Sequence, residues 1–301
     1  MRPSRLAPPE RDLSVPASGR KGKVSRVTVV VLTGATRGIG RAAAMELVRR
    51  GAEVALVGRD CARVRLVAEE AAAVGGGRVH GHVADLTLMS NVRVLADEIR
   101  EHYERVDVLA NNAGALFASR DETPEGLERT FALNHLAPFL LTNLLRDRLA
   151  GGRVVTTASN AHKSGRLVLD DLQSEKSYSA RAYGTSKLCN VLFTRELARR
   201  APELRANCFH PGVVRTGFAK SEDGVWKVVA RLGAPFFRSP ERGARSLVWL
   251  ALSDDAAALT GKYIVDEKVV PPSAQALDDT LARGLWERSA QLVSLPIDAR
   301  G

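Results

Sequence analysis

The run Val27-Thr28-Val29-Val30-Val31-Leu32 passes at once into Thr33-Gly34-Ala35-Thr36-Arg37-Gly38-Ile39-Gly40. No other stretch narrows the choice of fold as far. The run is apolar and β-branched without alternation, as in a strand buried on both faces of a parallel sheet. A helical pattern, residues 41–50, follows the last glycine. Strand, glycine turn and helix in succession are the context that gives a glycine motif meaning. Residues without a Cβ let the backbone turn tightly and approach a pyrophosphate, which sits on the amides at the helix N-terminus. The spacing is G-x-x-x-G-x-G, not the commoner G-x-G-x-x-G, and a plain structural turn is the competing reading.

The alternation continues along the chain. Strands are expected at 53–57, 79–83, 106–110, 153–158, 205–209 and 259–265, and helices at 61–74, 91–103, 126–149, 183–200, 241–252 and 277–293. This pattern predicts one α/β domain, a doubly wound parallel sheet of about seven strands flanked by helices. Ligands of such sheets bind beyond the carboxyl ends of the strands. The second strand ends in Gly58-Arg59-Asp60. An acidic tip would bind the ribose hydroxyls of NAD; here a glycine and Arg59 stand there, and Arg37 points at the same corner. Two guanidiniums suit a 2′-phosphate, so the sequence favours NADP(H), with NAD(H) as the alternative. Asp60 reads as the N-cap of the next helix. Asp85-Leu86 reads equally as a contact to an adenine edge or as a helix cap before residue 91. Asn111-Asn112-Ala113-Gly114 forms a small, polar tip on the fourth strand, and Ser159 lies at the tip of the fifth. Ser159 either donates to a substrate oxygen or caps a turn. Asn134, in an apolar helix, must be hydrogen-bonded and holds a kink or a water chain.

Within Ser177-Tyr-Ser-Ala-Arg-Ala-Tyr183-Gly-Thr-Ser-Lys187 the i,i+4 pair Tyr183 and Lys187 shares one helix face. A cation beside a phenol favours phenolate, so the Tyr183 pKa is expected to fall towards neutrality, which suits an acid/base acting on an alcohol proton. Residues 213–240, with Trp226 and Phe236-Phe237, read as an apolar substrate lid.

Charge and cysteines exclude other classes. The net charge is +10 over 301 residues, but residues 1–26 hold seven basic side chains against Glu10 and Asp12. Residues 1–24 read as a flexible basic extension before a domain spanning 25–295. No basic stripe with interleaved aromatics suggests nucleic acid, no apolar run reaches membrane-spanning length, and no ligand spacing suggests a metal. Cys61, Cys189 and Cys208, with no C-x-x-C, are expected to be reduced and buried, and the protein soluble and cytoplasmic.

Thr33-Gly34-x-x-x-Gly38-x-Gly40, Asn111-Asn112-Ala113-Gly114, Asn134, Ser159, Tyr183-x-x-x-Lys187 and Pro211-Gly212, in that order, resemble the classical short-chain dehydrogenase/reductase family. Leu133-Asn134-His135-Leu136-Ala137-Pro138-Phe139, Glu175-Lys176-Ser177-Tyr178, Asn190-Val191-Leu192-Phe193-Thr194-Arg195-Glu196-Leu197 and Thr260-Gly261-Lys262-Tyr263 are most similar to its retinol dehydrogenase-like branch. The resemblance implies a Rossmann fold and hydride transfer between a nicotinamide and a carbonyl or alcohol of a small molecule. It implies Tyr183 as acid/base, Lys187 lowering its pKa and holding the ribose, Ser159 on the substrate oxygen, and Asn134 supporting a water. The cofactor set it implies is Gly34, Thr36, Arg37, Gly38, Ile39, Gly40, Arg59, Asp85, Leu86, Asn112, Ala113, Gly114, Tyr183, Lys187, Pro211, Gly212, Val214 and Thr216. It also implies a homodimer or homotetramer. Tyr178 is no rival acid/base, because the residue four later is Ala182. A regulatory or scaffold protein on the same fold is the competing reading, against which the intact Ser159, Tyr183 and Lys187 argue.

Overall fold

The computed structural model describes residues 27–179, 181–214 and 238–296. The basic extension, Thr216 and most of the expected lid lie outside them. Strands β1 (Val29–Thr33), β2 (Glu53–Gly58), β3 (Arg78–Val83), β4 (Val108–Asn111), β5 (Arg153–Thr157), β6 (Arg205–His210), β7 (Lys262–Val265) and β8 (Lys268–Val269) form one sheet in the order β3-β2-β1-β4-β5-β6-β7-β8. All neighbours pair in parallel except β7 and β8. The order reverses between β1 and β4, and the crevice at such a switch point is where ligands bind.

Alternation along the strands sorts the core into two layers. Val30, Leu32, Val54, Leu56, Val108 and Ala110 face α1 (Gly38–Arg49), α2 (Cys61–Ala73) and α6 (Pro240–Leu252). Val31, Ala55, Val57, Leu109, Val154 and Cys208 face α3 (Met89–His102), α4 (residues 129–144), α5 (Arg181–Arg200) and α7 (Asp279–Leu292). Both faces of the central strands are therefore apolar, which is why the sequence reads as unbroken hydrophobic runs there.

Three features depart from the sequence reading. The helix expected over 126–149 begins only at Arg129, widens into a π-turn at Ala132–Leu136 and ends at Leu144. Gly126 takes φ +74° in a turn before it, and the buried Glu128 caps the start by accepting from the amides of Thr130 and Phe131 at 2.6 and 2.8 Å. Pro138 has no N–H for the Asn134 carbonyl and its ring would crowd it, so the helix opens there. The eighth strand escaped the reading because its turn, Asp266-Glu267, takes φ +50° and +62° without glycine. Cys61 is exposed at the start of α2, while Cys189 and Cys208 are buried as expected.

Helix α3 starts at Leu88 without a side-chain cap of its own. Glu125, from the segment before α4, supplies one: its carboxylate accepts from the amides of Met89 and Ser90 at 2.6 and 2.9 Å. Glu125→Ala is expected to cost about 1 kcal/mol, the usual worth of an N-cap, read as a lowered melting temperature. Burial raises the Glu125 pKa, but the Ser90 side chain, the Ser90 and Met89 amides and the Arg93 charge outweigh it and hold the pKa below its ordinary value. The wild-type advantage is therefore present above the carboxylate's unfolded pKa and lost as pH falls through the folded one. A melting temperature unchanged at neutral pH would refute the cap.

Candidate functional site

At the β1 tip, Gly34 and Gly38 take φ +64° and +49°. A Cβ on Gly34 would stand 2.7 Å from Ala113 Cα, and one on Gly40 would stand 2.1 Å from the Gly34 carbonyl oxygen. Turn, helix and β4 tip thus approach each other at distances only glycine permits. Arg37 is the N-cap of α1, extended and without a side-chain cap bond, and no acidic residue occupies the first turn. The amides of Gly38, Ile39 and Gly40 are left without intrahelical acceptors, an arrangement that favours an anion.

The β2 tip is bare. A Cβ on Gly58 would come within 2.4 Å of Thr36 Cγ2, so Thr36 packs onto this glycine. Arg37 and Arg59 are both exposed, and neither guanidinium has an ion-pair partner among the described residues. Asp60 caps α2, accepting from the Arg63 amide at 3.0 Å. Asp85 does not cap α3. Its Oδ1 accepts from the Thr87 amide and hydroxyl at 3.0 and 2.8 Å, closing a turn between β3 and α3. The Leu86 side chain lies in the core, which leaves its backbone for any ligand contact.

Asn112 ties the strand tips together. Its side-chain nitrogen donates to the carbonyls of Thr33 and Gly34 at 3.0 and 3.3 Å, and its Oδ1 accepts from the Thr157 hydroxyl at 3.3 Å. The Thr33 hydroxyl accepts from the amides of Asn112 and Ala113, both at 3.0 Å. Thr157 escapes a sequence reading because threonine is ordinary strand composition, and Thr33, though it opens the glycine motif, shows there no sign of its bonds to the β4 tip.

Four residues meet across the β5 tip. Ser159 caps the 3-10 turn Asn160–Lys163 by accepting from the Ala161 amide at 3.1 Å, and its hydroxyl also hydrogen-bonds the Tyr183 phenol. The capping reading of Ser159 is the one this geometry shows. The Lys187 ammonium is buried, 5.7 Å from the centre of the Tyr183 ring, and donates to the Thr157 carbonyl at 3.0 Å. Burial pushes Lys187 down to about 8. The expected fall in the Tyr183 pKa is not found: burial pushes the phenol up to about 12, and the Ser159 bond offsets only part of that. Desolvation wins because the ammonium faces the ring and the Thr157 carbonyl rather than the hydroxyl. Asn134 sits in the π-turn, fully buried, exchanging two bonds of 2.9 Å with the backbone of Ala115 and donating to Ser186 Oγ at 3.0 Å. It holds the kink. A Cβ on Gly114 would lie 3.1 Å from Asn134 Oδ1 and 3.3 Å from Lys187 Nζ. Tyr178 is occupied elsewhere, bonding Thr130 Oγ1 and the Phe117 carbonyl at 2.8 and 3.1 Å.

The chain leaves β6 through Pro211 and Gly212, which takes φ +84° with the Arg238 side chain where a Cβ would stand. Val214 and Ile39 pack together over Gly243 of α6, joining this exit to the glycine turn. Thr216 lies outside the described residues. No cluster of metal-ligating side chains and no helix long and apolar enough to cross a membrane occurs among the described residues.

An open parallel sheet with a glycine-walled anion cradle at its switch point defines a nucleotide-binding α/β protein. A family profile described as "short chain dehydrogenase" matches residues 28–224. The chain is 46% identical over 266 residues to the Streptomyces sp. (strain C5) protein named "Putative daunorubicin C-13 ketoreductase DnrU", covering 88% of this chain and 92% of that one. It is 39% identical to human retinol dehydrogenase 13, covering 88% and 84%. Among solved structures, a blue fluorescent protein from a metagenomic library in complex with NADPH matches with TM-score 0.65 at 27% identity, covering 79% of this chain and 95% of that one. The chain belongs to the short-chain dehydrogenase family, in its retinol dehydrogenase-like branch. It is an oxidoreductase of alcohol and carbonyl groups that uses NAD(P).

Proposed function

We propose that the chain is an NADP(H)-dependent oxidoreductase of ketone, aldehyde or alcohol groups on apolar small molecules, with Tyr183 as the acid/base. The observation that carries this reading is the hydrogen bond between the Ser159 hydroxyl and the Tyr183 phenol, with the buried Lys187 ammonium behind the ring. The glycine cradle and the bare Gly58 fit a dinucleotide. The names of the relatives support an apolar carbonyl or alcohol as substrate.

A bound nicotinamide would supply the hydride, or take it up in the reverse direction. The amides of Gly38, Ile39 and Gly40 would hold its pyrophosphate, Arg37 and Arg59 its 2′-phosphate, and Lys187 its ribose. Asn112, Ala113, Gly114, Pro211, Gly212 and Val214 would flank it. Ser159 donates a hydrogen bond to the substrate oxygen. Tyr183 Oη, protonated at neutral pH, hands its proton to that oxygen as negative charge develops. The phenolate left behind is stabilised by the Lys187 charge, whose strength is high in this dry site. Ser159 and Tyr183 already bond one another, so a carbonyl oxygen placed between them would meet two donors at once.

The test is a fluorescence titration with NADPH and NADH, followed by a screen of apolar ketones and aldehydes that includes an anthracycline C-13 ketone and retinaldehyde. NADPH is expected to bind at least about tenfold tighter than NADH, a difference of one charge-assisted contact or more. Arg59→Asp is expected to reverse that order. Equal affinity in wild type and variant would remove the 2′-phosphate assignment and leave the ribose to Asp60 or another group.

A further inference from the structure

We propose that His162 is a positioning residue for this reaction, a bracket that fixes the main chain of Ser159 against the C-terminal segment. The inference rests on the reading that Ser159 and Tyr183 act together on the substrate oxygen.

His162 is fully buried in the 3-10 turn that Ser159 caps. Its Nδ1 lies 2.6 Å from the Ser159 carbonyl oxygen, and its Nε2 lies 3.0 Å from the amide nitrogen of Ser273. The second contact settles the first. An amide N–H can only donate, so Nε2 accepts, and Nδ1 carries the hydrogen that goes to Ser159. Both nitrogens are spent on backbone. The ring therefore has no atom left for proton transfer to a substrate; it joins two stretches of chain 111 residues apart.

The turn has no slack elsewhere. The Asn160 amide donates to His210 Nδ1 at 3.2 Å, and Asn160 Oδ1 accepts from the Tyr263 hydroxyl at 2.9 Å. The Tyr263 ring stands edge-on to His162 with centres 4.8 Å apart. Further along, the Gln275 carboxamide exchanges two bonds of 3.4 Å with the Leu167 backbone. On the other side, a Cβ at Gly165 would come 2.5 Å from the Gly184 carbonyl oxygen, so the loop lies against α5 one residue beyond Tyr183. Ser159 and Tyr183 are set against each other by this frame, and His162 is the member that grips Ser159 directly. The Ser159 backbone is extended, with φ −165° and ψ 155°, and its carbonyl also accepts from the His162 amide at 3.1 Å; that bond stays within the turn, so only the His162 ring ties the carbonyl to the C-terminal segment. Freed, the Ser159 hydroxyl would lose its aim at the substrate oxygen, and a displacement near 1 Å costs about 100-fold in rate.

The experiment compares the full-length protein with Ser159→Ala, His162→Phe, His162→Asn and His162→Gln, measuring kcat and KM for the best carbonyl of the screen and the Kd of NADPH. Phenylalanine keeps a ring of similar size and loses both bonds. His162→Phe is expected to lower kcat about 10- to 100-fold, with KM and the NADPH Kd within about twofold of wild type. Asparagine places a donor where Nδ1 stands and recovers most of kcat. Glutamine reaches Ser273 instead and recovers less. Wild-type kcat in His162→Phe, with Ser159→Ala slow, overturns the bracket and leaves the reading of Ser159 standing. Ser159→Ala as fast as wild type removes the shared premise, and the bracket falls with it. Should His162→Phe fail to fold, equal kcat in the Asn and Gln variants overturns the proposal, and Asn above Gln supports it.

Discussion

Tyr183→Phe is expected to lower carbonyl reduction about 1,000-fold, the middle of the range for losing a positioned proton donor. The substitution removes one hydroxyl and leaves the ring that faces the Lys187 ammonium. The glycine cradle, Arg37 and Arg59 are elsewhere, so NADPH should bind the variant as it binds wild type. Loss of turnover with binding intact separates chemistry from cofactor recognition, and retention of a tenth of the wild-type rate would remove Tyr183 from its role. The protonation state adds a direction. A phenol pushed up to about 12 is already the acid that reduction requires. Oxidation needs the phenolate, so its rate should climb with pH where reduction stays level. Ser159→Ala removes the one hydrogen bond that lowers this pKa, and should steepen that difference.

Lys187→Met is expected to yield a protein both more stable and nearly inactive. Burial moves the ammonium from 10.5 to about 8, a difference of about 3 kcal/mol between folded and unfolded chains. The sign follows from where the proton sits. Below about 8 both states carry the charge, and the folded one bears the full penalty of holding it in a dry place. Between the two values the unfolded chain binds the extra proton, so wild-type stability rises with pH. The methionine variant escapes the penalty. Its advantage should be largest at neutral pH, shrink as pH rises above 8, and vanish beyond 10.5. Met is close in length and apolar, and the Thr157 carbonyl keeps a partner, since Asn190 Nδ2 donates to it at 3.2 Å. Thermal melts across pH, with turnover alongside, read both halves. A variant less stable than wild type at neutral pH would mean the ammonium is paid for locally and the burial argument is wrong. A site that holds stability below its optimum for the sake of chemistry is the ordinary trade at an active centre.

How much of this could be read from the chain depends on how local the signal is. The alternation of strands and helices, the glycine turn, the Tyr183–Lys187 pair and the Asp60 cap are each written within a few residues, and each was legible. The π-turn at Asn134 was half legible: a buried asparagine demanded partners, but only Pro138 three residues beyond its neighbour in the turn, together with the Ala115 backbone, decides that the helix opens. Asp85 misled because a carboxylate just before a helix reads as its cap, whereas the cap arrives from Glu125, 36 residues away from Met89. The pKa of Tyr183 was misread for a physical reason. A helix face places lysine near tyrosine, but only tertiary packing decides whether the ammonium meets the hydroxyl or the ring, and how dry both become. His162 looks like any polar loop residue until Ser273 is folded against it.

The bridge between Val214 and Arg238 carries a consequence for diversification. Arg238 donates its amide to the Val213 carbonyl at 2.7 Å and clasps Asp266 with a bond of 2.8 Å from Nη2. The two ends flanking the intervening residues are thereby anchored side by side beyond the sheet, like two gateposts. What is hung between gateposts can be exchanged without rebuilding the wall. Because those bonds are made by the two ends themselves, sequence exchanged between residues 214 and 238 leaves them, and the hydride-transfer chassis, as they are. Sequence variation there is uncoupled from the inheritance of the chemistry.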